Sequence, residues 1–278
     1  MKMKRRIEAT EEDCGKAFIS RWDDGEVRSC YDCRTNPRIE KISKAFWRWG
    51  LSVYRDVMGG GEWLMTPTGS APEIMRMFSL FHDDKQSNGV TWTAFPGRNG
   101  LLAPFPLPFG SYDRMTELGD DFARWLEKAN LDKQIEIVVR PDFQLSKRNP
   151  ADGRTLEPDS TGDSLLRTFA RGLSMWGIPT SLAKRGGEED WLKVPIGYST
   201  ELMTVLWAWI ATGLPSYKQK QVLKRGYFAL LPYDKDFVLP YPITYVNGAE
   251  RALQVHSLSE WLGGLPKSFD WSKYATED

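Results

Sequence analysis

The chain has 278 residues, 41% hydrophobic and 27% charged, with 37 Lys and Arg balanced by 37 Asp and Glu. That length accommodates one large domain or two medium ones, and a net charge of zero disfavours a dedicated non-specific coat for duplex DNA, which would be strongly basic. Twelve Trp and 13% aromatic residues supply core area, and such residues are also enriched on interfaces and base-stacking surfaces.

In chain order, Met1 to Arg6 carries charges with no apolar segment behind them, so no export signal is expected. With three Cys, reduced thiols and a cytoplasmic location are the expectation. Residues 1–58 are expected to be a helical N-terminal segment. Pro37 suits a first helical turn, and Ile39, Ile42, Ala45, Phe46, Trp49 and Val53 form an apolar stripe. Gly59 to Gly61 should end it. A short strand over 62–65, a helix from Ser70 through Phe81 and a strand over 90–95 follow. Residues 96–110, rich in Pro and Gly, are expected to be an extended loop. Helical periodicity returns over 113–129, and 135–139 is strand-like.

Residues 146–162 are polar and punctuated by Pro and Gly, a linker or mobile loop between lobes at 1–145 and 163–278, with a single domain as the alternative. Helices over 163–176 and 199–211 flank a Gly-rich turn at 185–187. The run from Leu202 to Leu214 is too short to span a bilayer. The C-terminal part is expected to be β-rich, with strands over 227–231, 243–246 and 252–256, a hairpin turn at Asn247-Gly248 and an irregular end from Trp261. No internal repeat or low-complexity tract is apparent. The class is α+β, a mixed sheet with helices.

The richest segment for chemistry runs from Ser216 to Tyr233, with four cations and four aromatic rings in eighteen residues. Cations meet phosphates and rings stack on bases, which is what single-stranded nucleic acid requires. Lys218, Lys220, Lys224, Arg225 and Tyr227 are the candidate contacts, with Arg38, Lys41, Lys44 and Arg48 on the first helix. Arg225-Gly226-Tyr227-Phe228-Ala229-Leu230 partly resembles the base-stacking motif of RRM domains, with the fourth and fifth residues exchanged. That exchange sets Tyr227 and Phe228 on opposite faces of a strand.

Three metal readings stand beside it. His82, Asp84 and His256, followed by Lys267, resemble in these four residues the Fe(II) ligand set of 2-oxoglutarate oxygenases. Cys30 and Cys33 with Cys14 offer three ligands for Zn. Asp234 and Asp236 offer a carboxylate pair for Mg. No Gly-rich phosphate loop or nucleophile elbow stands out. The leading expectation is a protein that binds or processes RNA or single-stranded nucleic acid within a larger complex of protein subunits, away from membranes. A metal-dependent enzyme and a Trp-rich protein-interaction module are the alternatives.

Overall fold

The computed structural model describes residues 19–21, 27–29, 37–58, 61–85, 91–97, 101–107, 112–129, 145, 164–185, 189–214, 228–242 and 248–275. Six α-helices occur among them: α1 (Pro37–Arg48), α2 (Ala71–Lys85), α3 (Tyr112–Lys128), α4 (Ser164–Met175), α5 (Ser199–Ala208) and α6 (Gly248–Gly264). The strands are β1 (Ile19–Arg21), β2 (Val27–Ser29), β3 (Tyr54–Met58), β4 (Gly61–Pro67), β5 (Thr91–Pro96), β6 (Leu101–Leu107), β7 (Ser181–Arg185), β8 (Glu189–Pro195), β9 (Phe228–Pro232) and β10 (Phe237–Pro242). The class is α+β.

β1 and β2 form a small ladder of their own, while the other eight strands make one sheet in the order β3-β4-β6-β5-β9-β10-β8-β7. That order reads the same from both ends once β3, β4, β6 and β5 are matched to β7, β8, β10 and β9. The chain is built from two copies of one unit, helix–hairpin–helix–hairpin–helix. In chain order α1 corresponds to α4, the β3–β4 hairpin to β7–β8, α2 to α5, the β5–β6 hairpin to β9–β10, and α3 to α6.

Register and capping agree with this correspondence. Thr66 pairs with Leu102 as Val194 pairs with Val238, and Ala94 pairs with Pro104 as Leu230 pairs with Pro240. Where the copies meet, the equivalent residues Ala94 and Leu230 pair directly across antiparallel β5 and β9. A pseudo-two-fold axis normal to the sheet requires that pairing. Each opening helix ends on a glycine in the left-handed region, Gly50 at φ 76° and Gly177 at φ 83°, where a side chain costs about 1–2 kcal/mol. Gly50 N–H donates to Trp47 and Leu51 N–H to Phe46; Gly177 donates to Ser174 and Ile178 to Leu173. This paired geometry is a Schellman cap. The adjacent indoles repeat it: Trp49 Nε1 donates to the Leu126 carbonyl (3.2 Å) and Trp176 Nε1 to that of Leu262 (3.4 Å). Each clasp ties the first helix of a unit to its last.

The main core lies between the sheet and the helices. Side chains alternate along each strand, so Trp92, Ala94, Leu102, Leu192, Val194, Phe228, Leu230 and Val238 face α2, α5 and the outer helices. The opposite face gathers Met65, Phe95, Ala103, Ala183, Ala229, Leu231 and Leu239, all from strands. Across the pseudo-axis, Thr200 Oγ1 of α5 donates to the carbonyl of Thr68 (3.1 Å), ahead of α2. Among the described residues no helix is long and apolar enough to cross a membrane.

Several sequence expectations are corrected. Residues 1–58 are not simply helical: β1, β2 and β3 lie there, and the helix stops at Arg48. Residues 101–107 are strand β6 despite Pro104 and Pro106. Both prolines pair with β5, whereas β4 pairs with β6 only at Leu101 and Leu102, so the prolines occupy an edge-like stretch, where a missing N–H is tolerated. Pro240 and Pro242 repeat this in β10. The helices expected on either side of 185–187 are present as α4 and α5, with strands β7, ending at Arg185, and β8, beginning at Glu189, also lying between them. Residues 252–256, expected as a strand after a hairpin turn at Asn247-Gly248, lie inside α6, which runs to Gly264. The buried set Gln254, Val255, Leu258, Ser259 and Leu262 has helical spacing, which the short run alone does not reveal. The expected strands over 135–139 and 243–246 and the segment 146–162 lie outside the described residues.

Candidate interaction face on the second repeat

Duplication provides an internal control. A residue present in both copies serves the shared fold; a surface group found in one copy is not demanded by it. By this measure Trp63/Trp191, Leu64/Leu192, Pro67/Pro195, Gly69/Gly197, Glu73/Glu201 and Met75/Met203 are scaffold, since every pair keeps the same offset along the chain. Glu73 and Glu201, 6% and 3% exposed, lie in the first turns of α2 and α5, where a carboxylate meets the positive end of the helix dipole.

The copies part on the strand-lined face of the sheet. In the first, Met65 is fully buried and its Sδ lies 3.3 Å from where a Cβ on Gly97 would stand. In the second, Lys193 replaces Met65 and Tyr233 replaces Gly97. The turns keep the same backbone bond, Gly97 N–H to Leu101 O (2.7 Å) and Tyr233 N–H to Phe237 O (3.1 Å). The Tyr233 ring, 38% exposed, is therefore not required by the turn. Lys193 Nζ sits 4.2 Å from the Phe237 ring centre and 5.8 Å from that of Tyr233, within cation–π range.

Beside them Trp191 and Tyr241 pack with ring centres 4.8 Å apart. The Trp191 indole N–H donates to the Pro240 carbonyl (2.9 Å). Arg251, at the start of α6, donates to the Tyr241 hydroxyl (2.6 Å), with its guanidinium 5.5 Å from that ring's centre. Trp191, Lys193, Phe237, Tyr241 and Arg251 are all half-buried. Rings held in place and cations resting on them make a preorganised polar–aromatic surface.

The turn that carries this surface is tied down from below. Asp234 Oδ1 accepts the backbone N–H groups of Asp236 (2.8 Å) and Phe237 (3.0 Å), and the Asp236 carbonyl accepts from Ile196 N–H (2.8 Å). Arg76, on α2 of the first repeat, reaches Asp236 Oδ1 with Nη1 at 3.6 Å. Asp234 and Asp236, expected as a Mg pair, thus shape their own hairpin. Tyr198, the counterpart of Ser70 in the first copy, has its hydroxyl pushed above the usual tyrosine range by burial and then by the charge of Glu201.

The other expected site residues that the structure describes are not part of this face. Lys218, Lys220, Lys224, Arg225 and Tyr227 lie outside the described residues, as do Cys14, Cys30 and Cys33. Phe228, beside Tyr227, is fully buried in the helix-side core. On α1, Lys41 pairs with Asp120 of α3 (3.0 Å) and Lys44 is half-buried; Arg38 and Arg48 are in the same helix. His82 is exposed near the end of α2, with Asp84 a little further on in the same helix. His256 is exposed on α6, 3.3 Å from Glu260 Oε1. Among the described residues no three His, Cys, Asp or Glu side chains gather as a metal site. The described Trp side chains are core or its border: Trp49, Trp92, Trp125, Trp176, Trp209 and Trp271 are buried, and Trp47, Trp191, Trp207 and Trp261 pack against them or beside them.

Comparison with known protein families, with curated proteins and with solved structures finds no match to this chain.

Proposed function

We propose that this protein is a recognition module that docks a partner protein on the β8–β10 face of its second repeat, as one component of a complex. One observation carries the reading: where the first copy has a buried Met65 and a Gly97, the second has Lys193 and an exposed Tyr233 on the same backbone. Tyr and Arg are among the residues enriched at interface centres, and Tyr241 and Arg251 adjoin the Lys193 site, with Tyr241 packed on the scaffold residue Trp191. Surface cations near Asp234 and Asp236 give a mixed-sign rim, which suits a protein partner better than a uniformly anionic one.

A second reading, single-stranded nucleic acid or RNA, is favoured by the sequence of Lys218, Lys220, Lys224 and Arg225, which leads directly into β9 of the same sheet. One experiment separates the two. Tagged wild type, Tyr233→Ser, Lys193→Glu and an exposed-helix control, Lys128→Ala, are used for quantitative capture from the source cells with and without nuclease. A protein retained by wild type and control, resistant to nuclease and lost from both face variants, is the expected result. Identical capture by all four proteins refutes docking on this face. If capture requires nucleic acid, an oligouridine titration should give a log–log salt slope of about −2, three phosphate contacts at roughly −0.7 each.

A further inference from the structure

We propose that Arg76 forms the floor of an oxyanion site under the Tyr233–Phe237 turn, covered by the Asp236 side chain and taken by a partner carboxylate on docking. This rests on the reading that the turn belongs to a protein-docking face. Arg76 is 5% exposed, and its guanidinium cannot shed its charge. Among the described residues its one charge partner is Asp236, at 3.6 Å, longer than a hydrogen bond. Its buried Nε has no hydrogen-bond partner among the described residues. A guanidinium carries five N–H donors in a planar fork that fits a carboxylate or phosphate with two parallel bonds. Leaving such a group buried and underused is costly, and an incoming oxyanion removes that cost.

The covering group is poised to leave. Asp236 has 57% of its side chain exposed, and its turn is held by other contacts: Asp234 Oδ1 on two backbone N–H groups, and Ile196 N–H on the Asp236 carbonyl. The carboxylate can therefore swing into water without opening the hairpin. The scaffold does not require the cation. At the equivalent place in α5 stands Thr204, whose hydroxyl donates to the Thr200 carbonyl (2.9 Å), and the sequence equivalent of Asp236 is Gly100. The Arg–Asp pair thus exists in one direction only, from the first repeat to the differentiated turn of the second.

The test follows the Arg76 Nε–H resonance of the full chain during titration with sodium acetate or sodium phosphate, at ionic strength held constant with chloride. Acetate is expected to shift this resonance saturably, and Arg76→Met identifies it by deleting it. Asp236→Asn is expected to tighten acetate about fivefold, the ratio matching loss of a competing half-exposed ion pair. Unchanged acetate affinity in Asp236→Asn, an exposed substitution that the turn tolerates, overturns the proposal, as does a resonance that acetate does not move. Preference for phosphate over acetate through Arg76 overturns the carboxylate assignment. If the anion site fails while Tyr233→Ser still loses its partner, only this inference falls. If acetate binds as expected while both face variants keep every partner, docking on the face falls and the anion site stands alone.

Discussion

Alanine at Gly50 and at Gly177, singly and together, probes the duplication where it is most exposed to measurement. Both glycines close the opening helix of a unit with left-handed backbone, at φ 76° and 83°, and both are exposed. Adopting that conformation costs an L-residue about 1–2 kcal/mol, and alanine returns some 0.4–1 kcal/mol by restricting the unfolded chain. A net loss of about 1 kcal/mol is expected at each site. Urea unfolding followed by Trp fluorescence reads this as a midpoint shift: with a slope of about 3 kcal/mol/M, each variant loses roughly 0.3 M at unchanged slope. The caps belong to separate units, so the double variant should lose about twice that, additive to within about 0.5 kcal/mol. A loss at one glycine with neutrality or gain at the other would refute the claim that the two caps are equivalent structures.

Two more outcomes follow from local geometry. A Cβ on Gly213 would stand 2.5 Å from Trp209 Cδ1 and 2.9 Å from Trp261 Cδ1, so Gly213→Ala should lower stability by about 1–3 kcal/mol through overpacking, read by urea unfolding; a neutral result refutes that indole arrangement. Burial, and then the charge of Glu201, holds the Tyr198 hydroxyl above the ordinary tyrosine value of 10.0, so the stability it contributes is fully present below pH 10 and is lost as pH rises through the folded value. Wild type should therefore lose stability relative to Tyr198→Phe in unfolding titrations above pH 10, and parallel curves for the two proteins would exclude this linkage.

Helical periodicity and capping made α2, α3, α4 and α5 readable to within a few residues, whereas α1 was expected to run on to the glycines at 59–61 and stops at Arg48, ahead of strand β3. Strands β6 and β10 were hidden by composition. Pro104-Phe105-Pro106 and Pro240-Tyr241-Pro242 look like loops until the ladder shows each proline beside a partner on one side only. The short run 252–256 satisfied a strand-like period by coincidence, and only the buried positions out to Leu262 decide for helix. Of the site, Asp234 and Asp236 were legible as an acidic pair but not as ties for their own turn. Arg76 gave no signal, because nothing local marks a buried cation whose charge partner, Asp236, belongs to the other repeat.

The repeat itself escaped the sequence for a physical reason. Its unbroken match, from Trp63-Leu64 to Met75 against Trp191-Leu192 to Met203, is short, and the second copy then has a longer connection between its second helix and second hairpin, which breaks the constant offset. Core positions also exchange apolar types freely, as in Phe78 for Leu206 or Ala94 for Leu230, because burial fixes polarity and volume more strongly than identity. What survives is what geometry singles out: glycine where φ is positive, an indole that must reach a carbonyl, prolines on one-sided strands. These constraints act equally on both copies. The Lys193–Tyr233–Phe237 group and the Arg76–Asp236 pair answer to none of them. The first copy keeps the same strands and the same closing backbone bond with Met65, Gly97 and Leu101 instead. An exposed Tyr233 beside a cation and a buried, underused guanidinium both carry a cost the fold could have avoided. Their concentration on one turn of one copy is the physical asymmetry on which the docking proposal rests.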